Sequence, residues 1–314
     1  MRVLLAGATG ALGSALIPML LAEGHHVLGL TRSAAGAAQL AALGAQPVRA
    51  DIMNIEELLT ALEGRRADAV IHQATAITGV PFLHRHLYAT DALRERGTAH
   101  LLRAAAELGA RRFLTQSFFL GYGYCDHGER LLEEDHPFAV RTGHKGFDRH
   151  MISLRSNEDQ VLGTPGIDGV ALRYGMFYGP EPATRRLIHL ARRRRLPAPS
   201  PSGTVSLIHI HDAASATLAA LHRGRPGQPY NIVDDQPVTF EAYFRAVAQA
   251  AGAPPPRRVP GRLLAALPYV RSLMVTTHIR LSNRRAIGEL GWTPRYPSCR
   301  DGLAALAART ASAH

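Results

Sequence analysis

The segment with the clearest chemical meaning is the glycine-rich stretch from Gly7 to Gly13, with the sequence GATGALG. It follows a short apolar segment and precedes a longer one that is predicted to be a helix. Glycine allows a tight turn and a close backbone approach to a ligand, and the free N–H groups of a helix N-terminus bind phosphate. We therefore expect a pyrophosphate-binding turn between a strand and a helix, the alternative being a purely structural turn. The residues expected at the pyrophosphate are Gly7, Thr9, Gly10, Ala11, Leu12 and Gly13.

The end of the second predicted strand bears on which dinucleotide would bind. A carboxylate there would hydrogen-bond the ribose 2′-hydroxyl of NAD, but this chain has Thr31, Arg32 and Ser33. Arg32 can pair with a 2′-phosphate and Ser33 can add a hydrogen bond, so the sequence favours NADP(H). The alternative is that Arg32 is one exposed arginine in an arginine-rich chain. Asp51 and Ile52 are expected beside the adenine, unless Asp51 only caps the next helix.

Two kinds of segment alternate in the first half of the chain. Short apolar strands are predicted at residues 3–5, 26–30, 47–50, 69–72, 112–115 and 170–173. Amphipathic helices are predicted at residues 11–23, 34–43, 54–63, 91–108 and 147–162. Continuous apolar strands that alternate with such helices are typical of a parallel sheet covered on both faces. The predicted fold class is therefore α/β, a doubly wound Rossmann sheet with a small C-terminal substrate lobe.

The predicted domain boundaries follow from where this alternation stops. Residues 1–175 are expected to form the NADP-binding Rossmann domain, to which residues 204–235 return. Residues 176–203 and 236–314 contain proline-rich joints and short helices, and they are expected to form the substrate-binding lobe. Residues 118–146 are rich in glycine, aromatic and charged residues, which indicates a functional loop or lid.

Composition excludes several classes of protein. The chain has 314 residues, 46% hydrophobic and 19% charged, which is a globular composition. Two cysteines, Cys125 and Cys299, cannot build a disulfide-rich secreted scaffold. No apolar run is long enough for a membrane span, and the first residues are predicted to be strand, turn and helix instead of a leader peptide. We therefore expect a cytoplasmic protein that does not bind membranes.

Charge and histidine patterns point to neither nucleic acid nor metal. The net charge is +11, but the sharpest basic run, Arg192 to Arg195, fits the C-terminal end of a helix, where cations are favoured. No nucleic-acid-reading motif accompanies this charge. His84 and His86, with His72 nearby, lack the spacing of a catalytic zinc site, so no metal site is expected.

Seven segments in order resemble the extended short-chain dehydrogenase/reductases, the NAD-dependent epimerase/dehydratase family. They are GATGALG, ADI at 50–52, VIHQATA at 70–76, LRYGMFYGP at 172–180, SLIHIHDAA at 206–214, YNIVDD at 230–235 and ELGWTPRYPSCRDGL at 289–303. The resemblance implies a nicotinamide cofactor, a small-molecule substrate and a homodimer formed through the helices near residues 91–108 and 147–162. It also implies that the cofactor is contacted by Gln73, Ala74, Thr75, Thr115, Tyr174, Gly175, Met176 and Phe177.

The chain departs from the family at the catalytic tyrosine and lysine. Typical members carry Tyr-x-x-x-Lys on the helix after the fifth strand, whereas the only lysine here is Lys145, four residues after Arg141. Matching the end of this helix to the family places Met151 at the tyrosine position and Arg155 at the lysine position. Met151 has no exchangeable proton, whereas Arg155 could still hydrogen-bond a ribose. Ser117 occupies the serine position and could donate a hydrogen bond to a carbonyl.

The proton source that would replace the tyrosine is left open among water, a substrate hydroxyl and a nearby side chain. The candidate side chains are Tyr122, Tyr124, His144 and His150.

These features predict an NADPH-dependent ketoreductase that works without a catalytic tyrosine. The aromatic residues of the predicted loops at 75–89 and 118–146 suit a flat aromatic or polyketide-like substrate. The missing tyrosine and lysine resemble an atypical subgroup of the family that includes antibiotic-pathway ketoreductases acting on angucyclinones. One alternative is an epimerase, dehydratase or isomerase that uses bound NADP. Another is a non-catalytic NADP-binding sensor.

Overall fold

The computed structural model describes residues 1–77 and 81–311. The strands are β1 Arg2–Ala6, β2 His26–Thr31, β3 Gln46–Arg49, β4 Ala69–His72, β5 Arg112–Phe118, β6 Asp168–Tyr174, β7 Met176–Tyr178, β8 Pro197–Ser200, β9 Thr204–Val205, β10 Leu207–His209, β11 Gln228–Ile232, β12 Val238–Thr239 and β13 Arg257–Pro260. The α-helices are α1 Ala11–Ala22, α2 Ala34–Ala42, α3 Ile55–Leu62, α4 Tyr88–Ala92, α5 Thr98–Leu108, α6 Lys145–Gly163, α7 Pro182–Arg192, α8 Ile210–Arg223, α9 Phe240–Ala250, α10 Pro268–Arg271, α11 Arg284–Leu290 and α12 Cys299–Ala311.

A seven-stranded parallel sheet organises the chain, in the order β11-β6-β5-β4-β1-β2-β3. The chain starts at β1 in the middle, winds outward to β3, and then crosses to β4 and winds the other way. This is the predicted doubly wound α/β fold, and the prediction is confirmed. Strand β5 continues to Phe118 because it pairs with β6 along its whole length, so Ser117 lies within the strand and not after it.

Both faces of the sheet are covered by helices. On one face α1 packs against α8, and the core beneath them includes Leu16, Ile17 and Ala216. On the other face α3, α5 and α6 cover the sheet, with Leu58, Leu101 and others in their core. The apolar strands are therefore buried on both sides, which is why they show no polar alternation.

The long helix predicted at 91–108 begins earlier and changes pitch. Helix α4 starts at Tyr88, a π-helical segment follows at Leu93–Gly97, and α5 continues to Leu108. The Thr90 hydroxyl accepts a hydrogen bond from the Ala76 backbone at 3.1 Å, which ties the start of this helix to the loop after β4. A short 3-10 turn, His84–Leu87, precedes it inside the predicted loop.

The smaller lobe is built from β7–β9, α7, α9 and the C-terminal elements around a second apolar core. That core contains Leu196, Val205, Phe240 and Tyr243. Among the described residues, the helices are all too short or too polar to span a membrane.

Helix α6 is fixed to the sheet by buried polar contacts. Glu158 accepts hydrogen bonds from Arg173 of β6 at 2.8 and 3.0 Å, and both side chains are almost fully buried. The preceding residue, Asn157, accepts hydrogen bonds from the hydroxyls of Thr98 and Thr115 at 2.8 and 2.7 Å. Burial opposes charge on Arg173, but Glu158 outweighs it and raises the pKa of the guanidinium.

We predict that Glu158→Gln lowers the free energy of unfolding by about 3 kcal/mol or more, because it leaves the buried Arg173 charge without its partner. Guanidinium chloride unfolding measures this loss. The control is Asp159→Asn on the same helix. It removes the exposed ion pair in which Asp159 lies 3.8 Å from Arg155, and it should cost less than about 1 kcal/mol. Equal losses in the two variants would contradict the prediction.

Candidate active site

The glycine-rich turn is shaped so that only glycine fits at two positions. Gly7 has φ +80°, and a Cβ there would lie 2.5 Å from the carbonyl carbon of Gln73. A Cβ on Gly13 would lie 2.4 Å from the Gly7 carbonyl oxygen. The turn closes with a 3.0 Å hydrogen bond from the Gly10 nitrogen to that same oxygen. Backbone from β1, α1 and the end of β4 therefore meets here with no side chain between.

The N-terminus of α1 is not capped by any side chain of its own. Gly10 is the N-cap residue in extended conformation, and the first turn holds no acidic residue. The first N–H groups of the helix, which include those of Ala11 and Leu12, thus have no intrahelical acceptor. Together with the helix dipole they make an anion site, and the geometry fits the pyrophosphate of a dinucleotide.

The residues predicted at the ribose and adenine lie at the ends of β2 and β3. Arg32 is exposed, and the Ser33 hydroxyl accepts from the Gly36 backbone at 3.0 Å, which caps α2 and leaves its own hydrogen free to donate. Asp51 accepts from the Met53 backbone at 2.9 Å and shapes a turn.

The cap of α3 is Asn54, so Asp51 does not cap that helix. The Ile52 side chain is buried, and its backbone carbonyl bonds His100.

The segment after β4 lies beside the glycine turn. Gln73 is buried and donates to the Tyr174 hydroxyl at 3.1 Å, while its own Oε1 has no hydrogen-bond partner among the described residues. Ala74 is half-buried and Thr75 is exposed. A buried amide oxygen without a partner is costly, so this position has an unused acceptor beside the turn.

Tyr174 does not line a cleft as expected. Its ring is completely buried, and its hydroxyl bonds Thr217 of α8 at 2.6 Å. The ring is part of the core because β6 still pairs with β11 at this residue. Gly175 comes next, and a Cβ on this residue would lie 2.7 Å from the Ser206 carbonyl oxygen. Met176 and Phe177 are only half-buried.

The two predicted residues of β5 have different surroundings. The Thr115 hydroxyl is used by Asn157, as described above. Ser117 is completely buried, and its Oγ has no hydrogen-bond partner among the described residues. An isolated buried hydroxyl near the carboxyl end of β5 is available to a group that the protein itself does not supply.

Tyr122, one of the candidate proton donors, has its hydroxyl bonded inside the protein. Tyr122 is buried, donates to Asn231 at 2.8 Å and accepts from Arg173 at 2.9 Å. Burial raises the pKa of its phenol to about 12, against the opposing effect of Arg173. Its hydroxyl is thus committed to the network that holds Arg173.

Met151 and Arg155, which match the tyrosine and lysine positions of the family, lie in different surroundings. Met151 is completely buried in the second apolar core. Arg155 is half-exposed, donates to the Phe138 carbonyl and lies beside Asp159. The α6 side chain that meets the polar groups near the end of β4 is His150, one residue earlier, and four residues after it stands the apolar Leu154.

Three residues form a hydrogen-bonded chain that runs from the core toward the loop after β4. Asp91 accepts from His150 Nδ1 at 2.8 Å and from the Ser153 hydroxyl at 2.8 Å. His150 Nε2 lies 3.0 Å from His84 Nδ1. Arg94 and Arg149 lie 3.6 and 3.7 Å from the Asp91 carboxylate and stabilise its charge.

One assignment of protons satisfies every contact along this chain. With Asp91 as the acceptor, His150 donates from Nδ1 and its Nε2 accepts from His84. His84 Nε2 is then the free end, and it has no partner among the described residues. Burial, followed by the neighbouring His150 and His144, lowers the pKa of His84 to about 4.

Aromatic rings surround the outer histidine. Phe147 and Tyr269 contact the His84 ring edge-on at 4.6 and 5.3 Å, and Tyr124 lies 4.4 Å from Phe147. His144 is 5.9 Å away and exposed. Tyr124, like Tyr122, has its phenol pKa raised by burial, so neither phenol is a ready acid.

Asp91 and Tyr269 were not among the residues singled out from the sequence. Asp91 lies 59 residues before its partner His150, and no spacing rule links the two. The available signal was a carboxylate near the start of a helix and a histidine on a later helix. His86 has its own contact with the Phe82 backbone and does not join His84, so the two do not share a ligand position.

The chain of contacts connects the histidines to the glycine turn. Gly7 touches Gln73 and Ala74, the Ala76 backbone bonds Thr90, and Thr90 precedes Asp91. These contacts thus link the glycine turn, through Gln73 and the loop after β4, to the Asp91–His150–His84 chain.

A model of the NAD-dependent epimerase/dehydratase family matches residues 3–233, which is most of the chain. The chain belongs to this family. The match confirms the resemblance, and the description of the family names NAD as the cofactor on which its members depend.

Two similar proteins are named as reductases. A 3-diazoavenalumate denitrifying reductase from a Streptomyces species is 35% identical over 309 residues, which are 96% of this chain and 99% of the relative. A 4-hydroxy-2-methyl-3-oxo-4-farnesyl-3,4-dihydroquinoline-1-oxide ketoreductase from Stigmatella aurantiaca is 27% identical over 80% of this chain and 74% of its own length. These relatives support an oxidoreductase of this family.

The fold also matches solved structures of the family. The UDP-glucose 4-epimerase of Thermotoga maritima superposes with a TM-score of 0.79 at 18% identity, over 100% of this chain and 99% of that chain. At this identity the match shows the fold alone.

We predict that Gly7→Ala abolishes dinucleotide binding, because the new Cβ meets the Gln73 backbone and the position has a positive φ. Titration with NADP(H), followed by fluorescence, measures the loss. The matched control is Gly24→Ala, where φ is +76° but no atom lies within 4 Å of the new Cβ. If both variants bind equally well, the steric argument fails.

Proposed function

We propose that the protein is an NADPH-dependent reductase that transfers a hydride to a carbonyl of a small aromatic or polyketide-like molecule, without a catalytic tyrosine. The observation that carries the proposal is the unpartnered Ser117 hydroxyl at the end of β5, on a fold whose glycine turn fits a dinucleotide. The reductase relatives support the reaction class.

Each part of the cofactor has candidate contacts on this chain. The backbone of Gly10, Ala11 and Leu12 would hold the pyrophosphate, and Arg32 with Ser33 would hold a 2′-phosphate. The bound reduced dinucleotide would supply the hydride.

Ser117 is the group proposed to orient the carbonyl. As its oxygen gains negative charge, a hydroxyl that already lies in a buried place gives a strong hydrogen bond without reorganisation. No other acceptor competes for this hydrogen among the described residues. Exclusion of water by the surrounding core strengthens the same contact.

The Asp91–His150–His84 chain is proposed to move the proton that a phenol would otherwise give. In this proposal protonated His84 gives its Nε2 proton to the product oxygen, while Asp91 stabilises the charge of the protonated ring through His150. Because burial keeps the pKa of His84 near 4, the protonated ring is a minor but strong acid at neutral pH.

A second candidate function is the reductive removal of a diazo group from an aromatic ring, favoured by the relative that is 35% identical. A hydride adds to the ring carbon of an aryl diazonium ion and the carbon–nitrogen bond breaks. Dinitrogen leaves, and the ring carbon keeps the hydrogen. Charge and atoms balance with no added proton. A site without an acidic phenol suits this chemistry.

A substrate panel distinguishes the candidates. We expect NADPH oxidation with aromatic ketones, or with aromatic diazo compounds accompanied by dinitrogen release. Product formed without net cofactor oxidation would instead favour an epimerase, dehydratase or isomerase. Tight NADP binding with no turnover of any compound would favour a sensor protein.

With a carbonyl compound of the panel that the wild-type protein reduces, Ser117→Ala should lower turnover about 100-fold, as expected for loss of a donor to a developing oxyanion. Its free energy of unfolding should not fall, because the lost hydroxyl had no partner. Ser156→Ala, a serine of α6 that bonds Gln160, is the control and should keep full turnover. Unchanged turnover in Ser117→Ala would remove the role of this residue.

We predict that Arg32→Ala weakens NADPH binding at least about tenfold while leaving NADH binding unchanged, since only NADPH has the 2′-phosphate that the arginine would meet. Equilibrium titrations with both cofactors measure the ratio. Arg66→Ala, at an exposed arginine after α3, is the control. A parallel loss for both cofactors would refute the assignment.

We predict that turnover in the reductive direction rises as pH falls from roughly 8 to 6, because a group with a pKa of about 4 gains protonated fraction throughout this range. His84→Gln should lower turnover and flatten this slope. His86→Gln, two residues away, should keep it. A wild-type slope in His84→Gln would show that the proton comes from elsewhere.

A further inference from the structure

A second polar cluster lies at the far end of α1 from the glycine turn. Glu23 follows the last residue of α1, His25 stands just before β2, and His222 is in the last turn of α8. Helix α1 has 12 residues, so about 18 Å separates this cluster from the turn. It is therefore outside the site described above.

The three side chains converge on one point. A Glu23 carboxylate oxygen lies 2.7 Å from His222 Nε2 and 3.5 Å from His25 Nε2. The two imidazole rings stack with centroids 5.3 Å apart, and the three ligand-type atoms lie within 4.8 Å of one another. Two imidazole nitrogens with one carboxylate oxygen form a donor set that borderline divalent metals prefer.

The inner histidine has an unused nitrogen directed into the cluster. His25 is only 8% exposed, and its Nε2 makes no hydrogen bond to the described residues. Its Nδ1 lies 3.1 Å from the Met1 nitrogen, so Nε2 is the atom left facing Glu23 and His222.

We propose that Glu23, His25 and His222 bind one divalent transition-metal ion of the zinc class. The ion would join the end of α1, the start of β2 and the end of α8, elements that already pack together. With three protein ligands, a fourth position stays open to water. Binding would replace the Glu23–His222 hydrogen bond. His25 would coordinate through Nε2 with its ring proton on Nδ1, and the Met1 amine opposite would release one proton to solvent and accept that hydrogen.

The experiment uses the full chain, freed of metal with a chelator and titrated with zinc(II) by calorimetry. We expect one equivalent to bind and the melting temperature to rise when zinc(II) is added. Glu23→Gln and His222→Ala alter half-exposed side chains and should fold, yet both should lose the one-equivalent binding and the thermal shift. His26→Ala, an exposed histidine beside the cluster, should keep both.

Two results would overturn the proposal. One is the absence of one-equivalent binding to the wild-type chain. The other is binding that persists in Glu23→Gln and His222→Ala, or that is lost equally in His26→Ala, since either would show adventitious surface binding. These outcomes do not depend on the reductase activity, because the cluster does not touch that site.

Discussion

The buried ion pair between Arg173 and Glu158 sets the position of α6, and the active-site geometry depends on that position. Asn157 adds hydrogen bonds to Thr98 and Thr115, so the helix can neither rotate nor slide along the sheet. Seven residues make nearly two full turns, so His150 lies on the same helix face as Asn157. The contacts of Asn157 and Glu158, in the second half of α6, therefore fix where His150 meets Asp91. Breaking a buried pair of this kind leaves an uncompensated charge, which is why such a pair can act as an anchor.

Buried polar groups in this protein fall into two kinds. The network around Tyr122, Asn231 and Arg173 is closed, since the hydroxyl and the guanidinium all have partners inside the protein. Near the ends of β4 and β5 the networks instead end on unpartnered atoms, at Gln73 and Ser117. A closed network stabilises one conformation, whereas an open end has a free energy cost that only an incoming ligand can offset. The contrast lies in the hydrogen bonds alone, because both kinds are equally buried.

The features that depend on local sequence were predictable. The glycine turn, the strands and the order of helices follow from neighbouring residues, and the parallel sheet follows from their alternation. The contacts of the α6 side chains were not, because each residue rotates by about 100° around a helix, so the neighbours His150 and Met151 meet a polar and an apolar environment. Tyr122 looked like a residue of a loop, and only the pairing of distant strands shows that its hydroxyl meets Asn231. Asp91 could not be linked to His150 at all without the fold.

The single lysine of the chain has a practical consequence through its place in the fold. Lys145 is the first residue of α6 and is exposed, one residue before Gly146, which packs against the His84 ring. An amine-reactive dye has one lysine side chain to modify, and that side chain stands at the rim of the histidine chain. The arginine-rich composition thus provides a built-in labelling position, from which fluorescence could follow how this rim responds when a nucleotide or substrate arrives.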